Sequence, residues 1–404
     1  VAESVSDLAL AVAYLHTTGM RQVDIAEFLN ITQTMASRLL REVKGSYTQH
    51  VFLENKLDDA TWKRVKHLCR PNRIIAVVEQ LATAAMKDPP QVHLVSFGDQ
   101  EGGSHSERSG TFASHAAPIV RELLLHVSTR VGVAWGMTLW RTTQALRAFV
   151  GQRPLRPSNP LEFVPLCGDP LIDPSMEPAD FTSSRIASDL KVIVNGQDSG
   201  TSLWLGLVPA FLPHSFNATE SAVIDRLIDL VPQYAHIFGP RSEEAKRKSD
   251  PRQPKIVEQL DMILTGIGSA DKPVNFGKSA LLDITENEVE RLKSSIHGDI
   301  GGVLLSRRAS TGIAEDPLID DLNRRWTGLR RSHLETCVAR ARRRSSSKPS
   351  SPGVCVLCYG RERAAALVEC IRQGLVNHII IDSDLASEVE RLHPLKRMSG
   401  KTKS

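Results

Sequence analysis

Along residues 7–43 apolar positions recur every three to four residues instead of alternating, so the chain opens in helices. Leu8, Ala11, Val12 and Leu15 share one face of a segment Asp7–His16 that Thr17-Thr18-Gly19 breaks. Gln22–Leu29 follows, with Val23, Ile25, Ala26 and Leu29 as its predicted buried set, and Asn30 stands where a left-handed C-cap belongs. Thr32 is a good N-cap for a third helix, Gln33–Val43, whose apolar positions are Met35, Ala36, Leu39, Leu40 and Val43. Two short helices joined by a tight turn, the second with polar residues outward, form a helix-turn-helix pattern.

From residue 55 to 394 the pattern changes. Short apolar runs (Val131–Ala134, Ile263–Leu264, Gly301–Leu305, Val354–Leu357, His378–Ile381) alternate with helical stretches, which predicts a mostly parallel α/β sheet. Ligands of such sheets bind beyond the carboxyl ends of the strands. The polar inserts Arg241–Pro254 and Arg342–Pro352 read as exposed loops.

Composition changes this picture little. The 404 residues leave room for two or three domains, and 41% hydrophobic with 24% charged residues excludes global disorder. The longest apolar runs, such as Ile74–Val78, fall far short of the ~20 residues of a membrane span. The first fifteen residues carry Glu3 and Asp7 and no base, which predicts no secretory leader, and six cysteines without framework spacing fit a reduced cytoplasm. Charge is more informative by position. The net +4 is small, but residues 56–73 hold six basic residues, Arg340–Lys348 five and Lys396–Lys403 four. Solvated loops and tails are the ordinary explanation of such runs.

On the third helix Thr32, Gln33, Thr34, Ser37, Arg38 and Arg41 supply the short hydrogen-bonding side chains and cations that base edges and phosphates require, with Gln22 at the start of the helix before it. A three-helix module without DNA is the alternative, and the −2 balance of residues 1–54 favours it unless charge is focused on that helix and doubled by dimerisation.

Three glycine-bearing segments stand at expected strand ends. Val131–Leu139 runs through Gly136, Met137 and Thr138 into a helix Leu139–Phe149, and amides at that start could hold a phosphate. Asp261–Ser269 is an apolar strand ending in Gly266-Ile267-Gly268, without the third glycine of a dinucleotide fingerprint. Tyr359–Arg363 opens a helix Ala364–Gln373, with Arg361 and Arg363 beside its start. Other candidates are weaker. Cys355 and Cys358 have zinc-like spacing but sit in an apolar strand, and His93, His105 and His115 show no i, i+4 pairing and read as loop or surface residues. Trp135 and Trp204 suit either sugar stacking or the core.

The runs Gln22-Val-Asp-Ile-Ala26 and Leu29-Asn-Ile-Thr-Gln-Thr-Met-Ala-Ser-Arg-Leu-Leu40 resemble the N-terminal module of the SorC family of bacterial transcriptional regulators. The larger part is similar to that family's effector domain through Trp135–Thr138, Asp261 with Gly266–Gly268, His297–Ile300, Asn323–Leu329, Gly360–Arg363 and Ile381–Asp384. Gln33 stands where the family has a cation, and Arg363 where it has a phosphate-binding lysine; an arginine can still pair with phosphate but needs more room. The resemblance implies a small all-α helix-turn-helix domain (1–54), then a large Rossmann-like α/β effector domain of the sugar-isomerase/CoA-transferase-like type (55–394) and a basic tail (395–404). It also implies double-stranded operator DNA and a homo-oligomer, dimer or tetramer, as partners, a sugar or sugar-phosphate effector, and regulation of carbohydrate catabolic genes in the cytoplasm. No enzymatic activity, cofactor, metal or membrane is implied. Its effector contacts would be Gly136, Met137, Thr138, Asp261, Gly266, Gly268, Asp299 and Arg363. The rival is a sugar-phosphate isomerase-like enzyme with Asp261 or Asp299 as base, weakened because Arg363 cannot form an imine.

Overall fold

The computed structural model describes residues 6–17, 21–29, 31–44, 73–95, 105–152, 155, 157, 159–169, 181–196, 202–212, 218–250, 252, 254–271, 284–307, 316–343 and 351–394. The Asn30 cap, the basic stretch up to residue 72, most of the second insert and the 395–404 tail lie outside them.

The N-terminal module comprises α1 (Asp7–Thr17), α2 (Gln22–Phe28) and α3 (Gln33–Lys44). Its core joins Leu10, Val12, Leu15, Ile25, Ala36, Leu39, Leu40 and Val43. Thr32 caps α3, its hydroxyl accepting from the Met35 amide at 3.2 Å. Val23 departs from expectation: it is 52% exposed, because the packed face of α2 is the one carrying Ile25 and Ala26.

The larger part runs α4 (Arg73–Ala84), β1 (Gln91–Val95), α5 (His105–Leu125), β2 (Arg130–Val133), α6 (Met137–Gln152), β3 (Glu162–Pro165) and α7 (Ser183–Asn195). Next come α8 (Ala218–Asp229), α9 (Pro232–Phe238), α10 (Glu243–Lys248), β4 (Met262–Ser269), α11 (Glu286–Ser295), β5 (Ile296–Ile300) and β6 (Val303–Ser306). The last elements are α12 (Pro317–Arg325), α13 (Arg331–Arg343), β7 (Gly353–Cys358), α14 (Ala364–Gln373), β8 (His378–Asp382) and α15 (Ser383–Leu392). Six strands form a parallel sheet in the order β1-β8-β7-β4-β2-β3.

Helices cover both faces of this sheet, so its central strands are apolar on both sides and read as unbroken hydrophobic runs. In β7, Val354, Val356 and Cys358 enter the core with α4, α13, α14 and α15, whereas Cys355 and Leu357 enter the core with α5, α6 and α7. The two cysteines thus face opposite sides of the sheet and cannot share a metal. Burial pushes both thiols well above their ordinary value.

Three features differ from the sequence reading. β4 does not end at its glycines: beyond the parallel sheet it continues through Ser269 and pairs antiparallel with β5, Gly268 opposite Asp299. β5 and β6 form a hairpin closed by Gly301-Gly302, both at positive φ (58° and 89°), as a two-residue turn with right-handed twist requires. The Arg241–Pro254 insert contains α10, and Arg241 is anchored: its amide donates to Asp229 at 2.7 Å and its Nε to Asp225 at 2.6 Å. Of the histidines expected in loops or at the surface, His115 is exposed, and all three stand in regular elements. His93 lies in β1 with its Nε2 at 3.2 Å from His378 Nδ1, and His105 and His115 lie in α5.

Candidate functional site

Helical geometry decides what α3 can offer. With Ala36, Leu39, Leu40 and Val43 packed inward, Gln33, Thr34, Arg38 and Arg41 are exposed and Ser37 is half-buried. Arg41 Nε donates to the Ser37 carbonyl at 3.5 Å. Arg38 has no ion-pair partner among the described residues. Thr32 is exposed and partly committed to its cap, and Gln22 is half-buried.

In the sheet, β2 is followed outward by β3, while β4, β7 and β8 extend the other way. The chain therefore reverses direction between β2 and β4, the place where doubly wound sheets open a crevice at their carboxyl ends. Gly136 follows β2 at φ +130°, a conformation that favours glycine, and donates its amide to the Phe181 carbonyl at 3.0 Å. Half-buried Met137 and Thr138 form the first turn of α6. Across the crevice, β4 carries Gly266 level with Leu357 of β7, and Gly268 further out.

Gly268 is required there by contact. A Cβ at this position would lie 1.9 Å from Asp299 Oδ2. Asp299 is 4% exposed; its Oδ1 accepts from the Gly302 amide at 3.0 Å, and its Oδ2 has no donor. Burial pushes this carboxyl up to about 6, against the opposing pull of the Gly302 amide and of Arg363. Arg363 is already engaged: Nε donates to the Ile267 carbonyl at 3.0 Å, Nη1 to the Tyr359 carbonyl at 2.5 Å, and Nη1 also meets the Glu362 carboxylate. Its guanidinium lies 5.3 Å from the centre of the Tyr359 ring.

The structure thus gathers Gly268, Asp299 and Arg363, with Gly266 and the Gly136–Thr138 turn at the same edge. Asp261 is not with them. It immediately precedes β4 at the amino edge, seven residues before Gly268, which is roughly 23 Å along a strand. Its Oδ2 accepts from the Thr129 amide and hydroxyl and the Arg130 amide at 2.8, 2.9 and 3.3 Å. That carboxylate is a structural strut.

Residues that the sequence reading did not name as ligand contacts also reach this edge. Asp169 follows β3, and Trp326, at the end of α12, lies 5.7 Å ring to ring from Trp135 and 4.6 Å from Phe211. The run Cys167-Gly168-Asp169 after a strand was the available signal. Trp204 is 48% exposed on a connecting segment. Among the described residues no group of three or more His, Cys, Asp or Glu is placed to hold a metal ion.

Asp299 predicts a pH dependence. Its folded-state value lies above the ordinary carboxylate value, so the stability it confers is complete below about pH 4 and is lost as pH rises through about 6. Asp299→Asn keeps the acceptor for Gly302 and removes the buried charge. Above pH 6 the variant should unfold at a higher temperature than wild type, by at most on the order of 3 kcal/mol, and the gap should close near pH 4. Melting curves across pH 4–8 test this, and a constant gap would contradict it.

No family model and no curated protein matches the chain. Solved structures do. It is similar to the full-length sorbitol operon regulator SorC from Klebsiella pneumoniae, at 17% identity and a TM-score of 0.50 over 94% of this chain and 97% of that one. It is also similar to a domain of a possible sugar-binding transcriptional regulator from Arthrobacter aurescens TC1, at 18% identity and a TM-score of 0.51 over 79% of this chain and 98% of that one. A third is a probable sor operon regulator from Shigella flexneri, at 16% identity and a TM-score of 0.50 over 78% of this chain and 98% of that one. The fold is shared with the full-length operon regulator: N-terminal helices followed by a parallel-sheet α/β domain.

Proposed function

We propose that this chain is a DNA-binding transcriptional regulator of the SorC type, acting on carbohydrate catabolic genes and controlled by a sugar or sugar-phosphate effector. The observation that carries the reading is the pairing, in one chain, of an exposed polar and basic α3 with glycines and a buried carboxylate oxygen without a donor at the carboxyl edge of the sheet, beside its reversal point. Fold likeness over 94% of the chain to a full-length operon regulator supports it. Residues 1–54 would bind operator DNA, 55–394 would bind the effector and assemble the oligomer, and 395–404 would form a basic tail.

Effector binding shifts the placement of two N-terminal modules and so changes DNA affinity, and by linkage DNA changes effector affinity equally. Homo-oligomers are symmetric, so the operator would be palindromic or repeated. An apolar stripe on α8 and just beyond it supports self-association: Val223, Leu227 and Leu230, at helical spacing, are 52, 58 and 75% exposed. No helix among the described residues is long and apolar enough to cross a membrane. Enzymatic turnover is disfavoured because Arg363 occupies the place an imine-forming lysine would need, and because fold kinship carries no activity.

The test is fluorescence anisotropy of the purified chain on DNA from upstream of its own gene, with and without a panel of sugars and sugar phosphates. Saturable, sequence-selective binding that one of these compounds changes is the expected result. Binding with no preference over random DNA would sink the regulator reading.

A further inference from the structure

Asp169 is held from both sides by main chain. Its amide donates to the Val208 carbonyl at 2.8 Å, and its carbonyl accepts from the Ala210 amide at 2.9 Å. The preceding residue has no room for a side chain, since a Cβ on Gly168 would lie 2.1 Å from the Val208 carbonyl oxygen. The carboxylate itself is left over: Oδ1 is buried without a donor, and no cation among the described residues pairs with it. Burial alone raises its proton affinity, with nothing opposing. A fixed position with an unmet bond is costly to the free fold, and such costs gather where a ligand supplies the partner.

Its neighbours indicate what that ligand offers. Across the 209–211 segment, Thr327 donates its amide to Ala210 at 2.9 Å and Phe211 bridges to Trp326. The Trp326 ring is fully buried, and its Nε1 has no acceptor. Half-buried Trp135 stacks obliquely beside it. Cys167 is buried beside them, and burial with the nearby Asp169 charge pushes its thiol well above its ordinary value. The same edge holds a second orphan oxygen, Asp299 Oδ2, while Arg363 is spent on two carbonyls and Glu362. Among the described residues the corner offers unpaired acceptors and aromatic surface and no cation paired with them. An anion would meet carboxylates, and an apolar group would leave them unpaired. A hydroxyl-bearing ring or chain satisfies both, with O–H donors for the carboxylate and a C–H face for the indole.

We propose that Asp169 is a specificity-determining ligand contact, accepting a hydroxyl from an uncharged polyhydroxylated face of the effector that packs on Trp135. The proposal rests on the sugar-binding reading of this domain. It is tested on the full chain by thermal unfolding and tryptophan fluorescence titration with D-glucose, D-fructose, D-sorbitol, D-glucose 6-phosphate and D-fructose 6-phosphate. Whichever compound wild type binds should bind Asp169→Asn at least about tenfold more weakly, the loss expected when a hydrogen bond to a charged group is weakened. The ligand-free variant should melt at the wild-type temperature or above it, because the described residues make no bond to that carboxylate and its buried charge is removed. Trp135→Phe should retain the fold, weaken binding and lose the fluorescence response. Affinity in Asp169→Asn equal to or better than wild type overturns the contact and leaves the sugar-binding reading intact. A lower ligand-free melting temperature without selective loss of affinity also overturns it, making Asp169 structural. If wild type binds none of the five, the sugar-binding reading falls and the contact with it.

Discussion

Asp261→Ala should lower the stability of the protein by on the order of 3 kcal/mol, a fall of roughly 6–12 °C in melting temperature, without selectively affecting any ligand. The side chain is 1% exposed and satisfies the Thr129 and Arg130 amides and the Thr129 hydroxyl, with Arg340 Nη2 at 3.8 Å from its other oxygen. Its main chain adds a donor bond to the Arg130 carbonyl and acceptor bonds from the Gly353 amide and Ser351 hydroxyl, at 3.0, 3.0 and 2.6 Å. One residue therefore ties the starts of β2, β4 and β7. Alanine would leave the Thr129 and Arg130 amides without this buried acceptor and unlink the strand starts that it joins, and each such loss is expensive. Differential scanning calorimetry gives the stability, and titration of the surviving folded protein gives the ligand response. An unchanged melting temperature with lost sugar response would return Asp261 to the binding site.

Arg38→Ala should weaken operator binding at least about tenfold while circular dichroism and melting temperature stay at wild-type values. The split follows from position. Arg38 is exposed on α3 with no ion-pair partner among the described residues, so its removal costs the fold little. In a symmetric complex the same cation is lost from both half-sites, and the slope of log affinity against log salt should become shallower if it neutralises phosphate. Anisotropy titrations at several salt concentrations separate these outcomes. Unchanged affinity would remove Arg38 from the interface and, with it, the strongest reason for reading α3 as the recognition helix.

The N-terminal module was legible because its signals are local. The 3.6-residue recurrence of apolar side chains, the Thr32 cap and the break at Thr17-Thr18-Gly19 place all three helices within about a residue of where they lie. Val23 escaped that logic, since an apolar residue on a short helix is buried only if a neighbour reaches its face. In the larger part, strands buried on both sides showed as plain hydrophobic runs, and the Ala364–Gln373 helix was read to the residue.

Which residues share a site was another matter. Asp261 and Gly268 belong to one short run of sequence, yet a strand is straight, and separation along it carries them to opposite edges of the sheet. Gly268 and Asp299 are thirty-one positions apart and meet because β4 outruns its parallel neighbours and pairs with β5. Asp169 had only the weak signal of a glycine before it at a strand end, and the ladders to Val208 and Ala210 are what make its carboxylate conspicuous. Arg363 stood at the right place in the chain, but its commitment to two carbonyls is visible only in three dimensions. Local periodicity and capping are properties of neighbouring residues, so the sequence by itself determined the element types, the two-part organisation and the alternation of strands and helices. Strand order, the reach of each strand past its neighbours and the pairing of polar groups depend on contacts between distant segments. Those contacts decided which candidates gather at the carboxyl edge and which carboxylates there remain without a donor.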